Sequence, residues 1–125
     1  MAEPFGILLI SGGYERAHYA FVLAAGAAAI GRRVCVFATN AGCHALLRDW
    51  SGLGDAARDA AVRASGVAGL DELRAAAAEL GVALLACDAG LRMAGLDGAP
   101  LWRGVEVAGV PAFLSAVAGG QIVTL

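Results

Sequence analysis

Residue types able to do chemistry gather in two short stretches, "ACDAG" from Ala86 to Gly90 and "NAGCH" from Asn40 to His44, and the chain holds one further cysteine, Cys35. A thiolate is both a nucleophile and a metal ligand, so the cysteines set what is within reach. Cys87 follows the apolar run "VALLA" (Val82 to Ala86) and precedes "DAGLRMAGL" (Asp88 to Leu96), a helical pattern that Asp88 could cap. Amides and the dipole at a helix start favour a thiolate, while the charge of Asp88 opposes it when the two side chains are close. A cysteine ending a buried strand can equally be a small apolar packing residue, and position alone leaves both readings open.

Cys43 beside His44 invites a Cys–His nucleophile, but neighbours in a helix point apart and such a pair needs adjacency in space. Cys43 fits better as a partner thiol for Cys87 if the second and third strands are neighbours, and Cys35, inside a strand, reads as core. No metal is expected, because Cys43, His44, Cys87, Asp88 and His18 show neither C-x-x-C nor a paired-histidine spacing. "SGGYER" begins with Ser11, Gly12 and Gly13, whose amides could hold an anion, yet it lacks both phosphate-loop glycine patterns and reads first as a tight turn. No cofactor is implied.

The elements that must position these residues follow from the apolar runs. "FGILLI" (Phe5 to Ile10), "RRVCVFAT" (Arg32 to Thr39) and "VALLA" are continuous runs of the kind found in strands buried on both faces. Between the first two, Tyr14 to Ile30 is an Ala-rich helix closed by Gly31. "NAGCHALLRDW" can open a short helix. "SGLGDAARDAAVRASGVAG" (Ser51 to Gly69), glycine-punctuated and poor in large side chains, reads as a mobile excursion with some helix in it. "LDELRAAAAELG" (Leu70 to Gly81) is the clearest amphipathic helix. "GVEVAGV" (Gly104 to Val110), "PAFLSAVAGG" (Pro111 to Gly120) and "QIVTL" complete a strand, a helix and a fifth strand. Solid apolar strands alternating with helices give an α/β fold with a parallel sheet covered on both faces. Ligands gather beyond the carboxyl ends of such strands, where Ser11, Gly12, Gly13, Asn40, Cys43, His44, Cys87 and Asp88 fall.

At 125 residues the chain is one domain, 1–125. Nine basic and eleven acidic residues, spread rather than blocked, leave no footprint for nucleic acid. The longest apolar run, Tyr19 to Gly31, falls short of the roughly 20 residues that cross a bilayer. The amino terminus lacks the basic start of a secretory signal, so a cytoplasmic location and free thiols are expected. Hydrophobic residues make up 59% of the chain and charged residues 16%, more apolar material than a lone small domain hides, which points to self-association.

The stretch "ACDAGLRMAGLDGAPLWRGVEVAGVPAFL" (Ala86 to Leu114) resembles the carboxyl-terminal half of the DsrE/DsrF-like family of small sulfur-relay proteins. The matching features are a cysteine just after a strand, a methionine-glycine segment in the next helix, and "GVEVAGVPAFL" leading into the last helix. The resemblance implies a three-layer α/β/α domain with a five-stranded parallel sheet, assembled as a homo-oligomer (dimer, trimer or hexamer). It also implies that Cys87 receives sulfur as a persulfide from a donor protein and passes it to an acceptor. The chain would then be a sulfur carrier or sulfurtransferase-like protein. The alternative is a non-catalytic oligomeric binding or scaffold module of the same fold. "DAGLR" after Cys87 and the segment Ser51 to Gly69 depart from the family pattern.

Overall fold

The computed structural model describes residues 3–125. Five strands, β1 (Phe5–Leu9), β2 (Val34–Ala38), β3 (Ala83–Cys87), β4 (Val105–Ala108) and β5 (Gln121–Thr124), form one sheet in the order β4-β3-β2-β1-β5. Every pairing is parallel. The helices are α1 (Tyr14–Ala29), α2 (Arg58–Ala64), α3 (Leu70–Glu79), α4 (Asp88–Met93) and α5 (Val110–Ala116), and a 3₁₀ helix spans Asn40–Leu46. The expected α/β architecture is the observed one.

Alternation along the strands divides the side chains between two faces. Ile7, Val36 and Leu84 are in register, as are Leu9, Ala38 and Ala86, and these residues pack with α1, Leu70 and Ala77 of α3, and Leu91 of α4. The row Leu8, Phe37, Leu85 points the other way. There Cys35, Phe37, Phe113 and Val117 form a smaller cluster, with Leu8, Leu85 and Cys87 against it. The Phe37 and Phe113 rings stack at 5.1 Å. Gly6 lets α5 lie close: a Cβ there would come within 3.0 Å of both Phe113 and Val117.

The segment Ser51 to Gly69 carries some helix, as expected, in α2, and it is fastened to the start of α1, with Gly54 N donating to Gly12 O and Gly54 O accepting from Tyr14 N, both at 2.8 Å. Asp59 of α2 is buried and accepts from the Tyr14 hydroxyl at 2.5 Å, from Leu70 N at 2.8 Å and from Arg63 Nε at 3.0 Å. Burial alone would raise the Asp59 carboxyl; the bonds from Tyr14, Leu70 and Arg63 outweigh it and hold the carboxyl below its ordinary value. For Tyr14, burial and the Asp59 carboxylate push the hydroxyl well up.

A second polar anchor fixes the other end of the 3₁₀ helix. Arg74 of α3, 2% exposed, donates to the carbonyls of Ala45 (3.2 Å) and Leu47 (2.6 Å), and its guanidinium lies 4.8 Å from the centre of the Trp102 ring. The helix around it is amphipathic as expected, but this charged residue belongs to its buried face.

Candidate functional site

Strand order brings the sequence-identified residues to one edge, since β1, β2 and β3 are successive neighbours and end together. Ser11, Gly12 and Gly13 follow β1, Asn40, Cys43 and His44 follow β2, and Cys87 and Asp88 lie at the end of β3 and the start of α4. The connections leaving β3 and β4 diverge. From Cys87 the chain enters α4, whose Leu91 packs into the large core, whereas from Ala108, the register partner of Cys87, it passes into α5 and the smaller cluster. Adjacent strands whose connections leave on opposite faces open a crevice outside their carboxyl ends, the general ligand position in open α/β sheets. Cys87 stands at that point.

Cys87 is half-buried, and its Sγ accepts a hydrogen bond from Gly90 N at 3.3 Å. The thiol itself caps α4 from an extended backbone (φ −68°, ψ 122°). Asp88, expected as the cap, is instead the first helical residue, and its carboxylate pairs with Arg92 at 3.3 Å. The helix begins one residue earlier than the apolar pattern suggested, because β3 runs through Cys87 and turns directly into it.

Packed against this turn is the end of β2. The Thr39 hydroxyl donates to Asn40 Oδ1 at 3.1 Å, and Asn40 has φ 55°, a left-handed backbone that a non-glycine residue seldom adopts. Asn40, Ala41 and His44 border Met93 and Ala94 across a shallow cavity of about 340 Å³. On its other side the His44 ring sits close against Gly52.

The other two cysteines are differently placed. Cys43 is wholly buried, its thiol donating to Ala38 O at 3.5 Å, and burial pushes it up to about 11, with the nearby Cys87 thiol adding to the rise and the Cys87 backbone N–H opposing it. Cys35 lies in the core beneath α5, and burial likewise raises its thiol to about 11. Ser11, Gly12 and Gly13 form a closed turn, with Gly13 N donating to Ser11 Oγ at 3.1 Å and Tyr14 N to Gly54 O. With Ser11 N donating to Leu125 O at 3.3 Å, two of the three amides that could have faced an anion, those of Ser11 and Gly13, are thus occupied. Among the described residues no three His, Cys, Asp or Glu side chains converge as a metal site, and no helix is long and apolar enough to cross a membrane.

Sequence reasoning did not identify Gly90 as the donor to the thiol or Thr39 as the residue packed on Gly90, nor Tyr14 and Asp59 as the fastening of the adjacent loop. A threonine-asparagine pair ending an apolar strand was the available signal for the first; nothing local marks the second.

The family model described as DsrE/DsrF/DrsH-like matches residues 47–125. No curated protein matches the chain. Among solved structures, the crystal structure of the ychN protein from E. coli matches with a TM-score of 0.75 over 100% of both chains, at 15% sequence identity. That likeness is one of fold: a five-stranded parallel sheet flanked by helices.

Proposed function

We propose a sulfur-carrier role for this chain, which belongs to the DsrE/DsrF/DrsH-like family. The working group in this reading is Cys87, and the observation that carries it is a half-buried thiol at the divergence of two connections, with an amide hydrogen bond to its sulfur. The thiolate of Cys87 attacks the outer sulfur of a donor persulfide. The new S–S bond leaves Cys87 as a persulfide, and the old one breaks to release the donor as a thiolate. Gly90 N–H stabilises the attacking thiolate. Transfer onward is the same exchange, with an acceptor thiolate attacking the outer sulfur and Cys87 leaving.

Cys43 is the partner thiol in this reading, and its burial makes it a slow one. Attack of its thiolate on the inner sulfur of the Cys87 persulfide would form a Cys43–Cys87 disulfide and expel hydrosulfide. A buried, neutral thiol delays that loss and lets the persulfide persist. In this reading Asn40, His44 and the turn Ser11–Gly12–Gly13, at the same edge of the sheet as Cys87, would bind substrate, and the exposed Asp88 would meet a partner protein. The exposed Val110 and Leu114 of α5 and Ile122 of β5 supply apolar surface for self-association as a dimer, trimer or hexamer. The reading places the protein in the reducing cytoplasm, where its three free cysteines stay thiols.

The test is mass spectrometry after incubation with a persulfide donor. Wild type and Cys35→Ser gain one sulfur atom in a form that dithiothreitol removes, Cys87→Ser gains none, and Cys43→Ser loads but loses its sulfur at a different rate. Normal loading of Cys87→Ser, or loss of loading only in Cys43→Ser, would move the chemistry to Cys43, and a wild type that gains no sulfur would leave the non-catalytic scaffold module as the function of this fold.

A further inference from the structure

We propose that Gly90 is a positioning residue for Cys87: by having no side chain it lets the first turn of α4 press against Thr39 and Asn40, and that contact holds its amide on the Cys87 sulfur. The inference rests on Cys87 as the working group and goes beyond it to what sets that group's reactivity. Glycine is a poor helix residue, so one inside a six-residue helix calls for a reason. The reason is not backbone freedom. Gly95 and Gly98, further along, have φ of +71° and +84° with open space around them, whereas Gly90 lies in the helix and outside the left-handed region.

What distinguishes Gly90 is its surroundings. A Cβ built on it would stand 2.5 Å from Asn40 N and 3.0 Å from Thr39 Cα, and would collide with Thr39 Oγ1. Backbone atoms cannot swing aside as a side-chain tip can. This stretch is fixed further by Thr39 N donating to Leu9 O and Gly42 N to Thr39 O, both at 3.0 Å. Any side chain at position 90 therefore displaces α4 rather than β2. The amide of residue 90 moves with the helix, and a displacement large enough to relieve a 2.5 Å contact carries it away from the sulfur it now meets at 3.3 Å. The sulfur then loses a donor that favours its ionised form.

The experiment follows alkylation of Cys87 by iodoacetamide across pH in the full chain, quantified on the peptide that carries Cys87. Gly90→Ala, with an unchanged far-ultraviolet circular dichroism spectrum, is expected to react roughly tenfold more slowly at neutral pH, the effect of losing one hydrogen bond to a charged group, with its profile moved to higher pH. A wild-type measurement needs no substitution: the Gly90 amide resonance should shift through the pH interval in which Cys87 becomes reactive, and Cys87→Ser should abolish that shift. An unaltered alkylation profile in folded Gly90→Ala, or a Gly90 amide indifferent to Cys87, overturns the proposal. Neither readout uses a sulfur donor. A Cys87 that never carries persulfide but passes both tests overturns the sulfur reading and leaves the positioning of Cys87 by Gly90 in place.

Discussion

The carboxyl ends of β1 and β3 are built alike, a buried strand followed by a short turn or none and then a helix, yet they use their backbone amides in opposite ways. After β1, Gly13 N is held by Ser11 Oγ and Tyr14 N by Gly54 O, while Gly12 O accepts from Gly54 N. After β3, Gly90 N turns to a half-buried sulfur. The difference lies in what reaches each corner. The Gly54 segment arrives over β1 and takes up its polar groups; at β3 the arriving neighbour is the Thr39–Asn40 corner, which packs sterically on Gly90 and leaves the thiol half-buried. A strand end becomes a chemical site only where adjoining chain has not already satisfied it.

The largest expected effect comes from cutting the clamp at the β1 corner. Asp59→Ala orphans the buried Tyr14 hydroxyl and Leu70 N–H, for a loss of about 2–4 kcal/mol in urea unfolding. Sulfur loading of Cys87 in the molecules that remain folded is expected to persist; if it vanished with the clamp, the two corners would be one cooperative site. The same residue gives the clamp a pH signature. Because the folded carboxyl binds its proton less tightly than the unfolded one, its stabilisation is complete above the ordinary aspartate value of about 3.9 and is lost as pH falls through the lower folded value. Asp59→Ala removes that part of the acid sensitivity, which urea titrations between pH 5 and 2 would reveal.

A smaller change probes the turn itself. Ser11→Ala removes the acceptor for Gly13 N and should cost about 0.5–1.5 kcal/mol, the worth of one ordinary hydrogen bond, without altering persulfide loading. Loss of loading at unchanged stability would mean that the turn holds substrate after all.

The two corners also differ in how far the sequence revealed them. The solid apolar runs of β1, β2 and β3 were legible because they are short, continuous and bounded by turn residues, as strands of a covered parallel sheet are, and α3 was legible from its early acids and closing glycine. From strands and helices alone, Cys87 could be placed at a strand end. What escaped were properties created by long-range packing. Arg74 looks like a solvent-facing residue until Ala45 and Leu47 bring their carbonyls to it, and Asp59 until Tyr14 arrives. Ser51 to Gly69 has few of the large side chains by which burial is read from sequence, and its order comes from the buried Leu53 together with the polar bonds of Gly54 and Asp59. Cys43 sits among small residues that fit either orientation, so its burial could not be inferred, whereas the composition of Cys35's own strand was enough.

The smallest expected effect concerns Asp88, the residue the sequence would have made the cap. Its carboxylate and Arg92 are 58% and 62% exposed, an i,i+4 pair in water, so Asp88→Asn should cost no more than about 0.5 kcal/mol, less still at high salt. The carboxylate is also the charge that would oppose a Cys87 thiolate, and here it is turned to Arg92 and screened by solvent. Alkylation of Cys87 should therefore accelerate by less than about threefold in the variant, and the gain should fade as salt is added. A large, salt-insensitive acceleration would show that Asp88 faces the sulfur and that its own charge, more than the Gly90 amide, governs the β3 corner. A near-null result leaves the contrast between the corners where the geometry puts it, in one amide that β1 has spent on its neighbour and β3 has kept for a thiol.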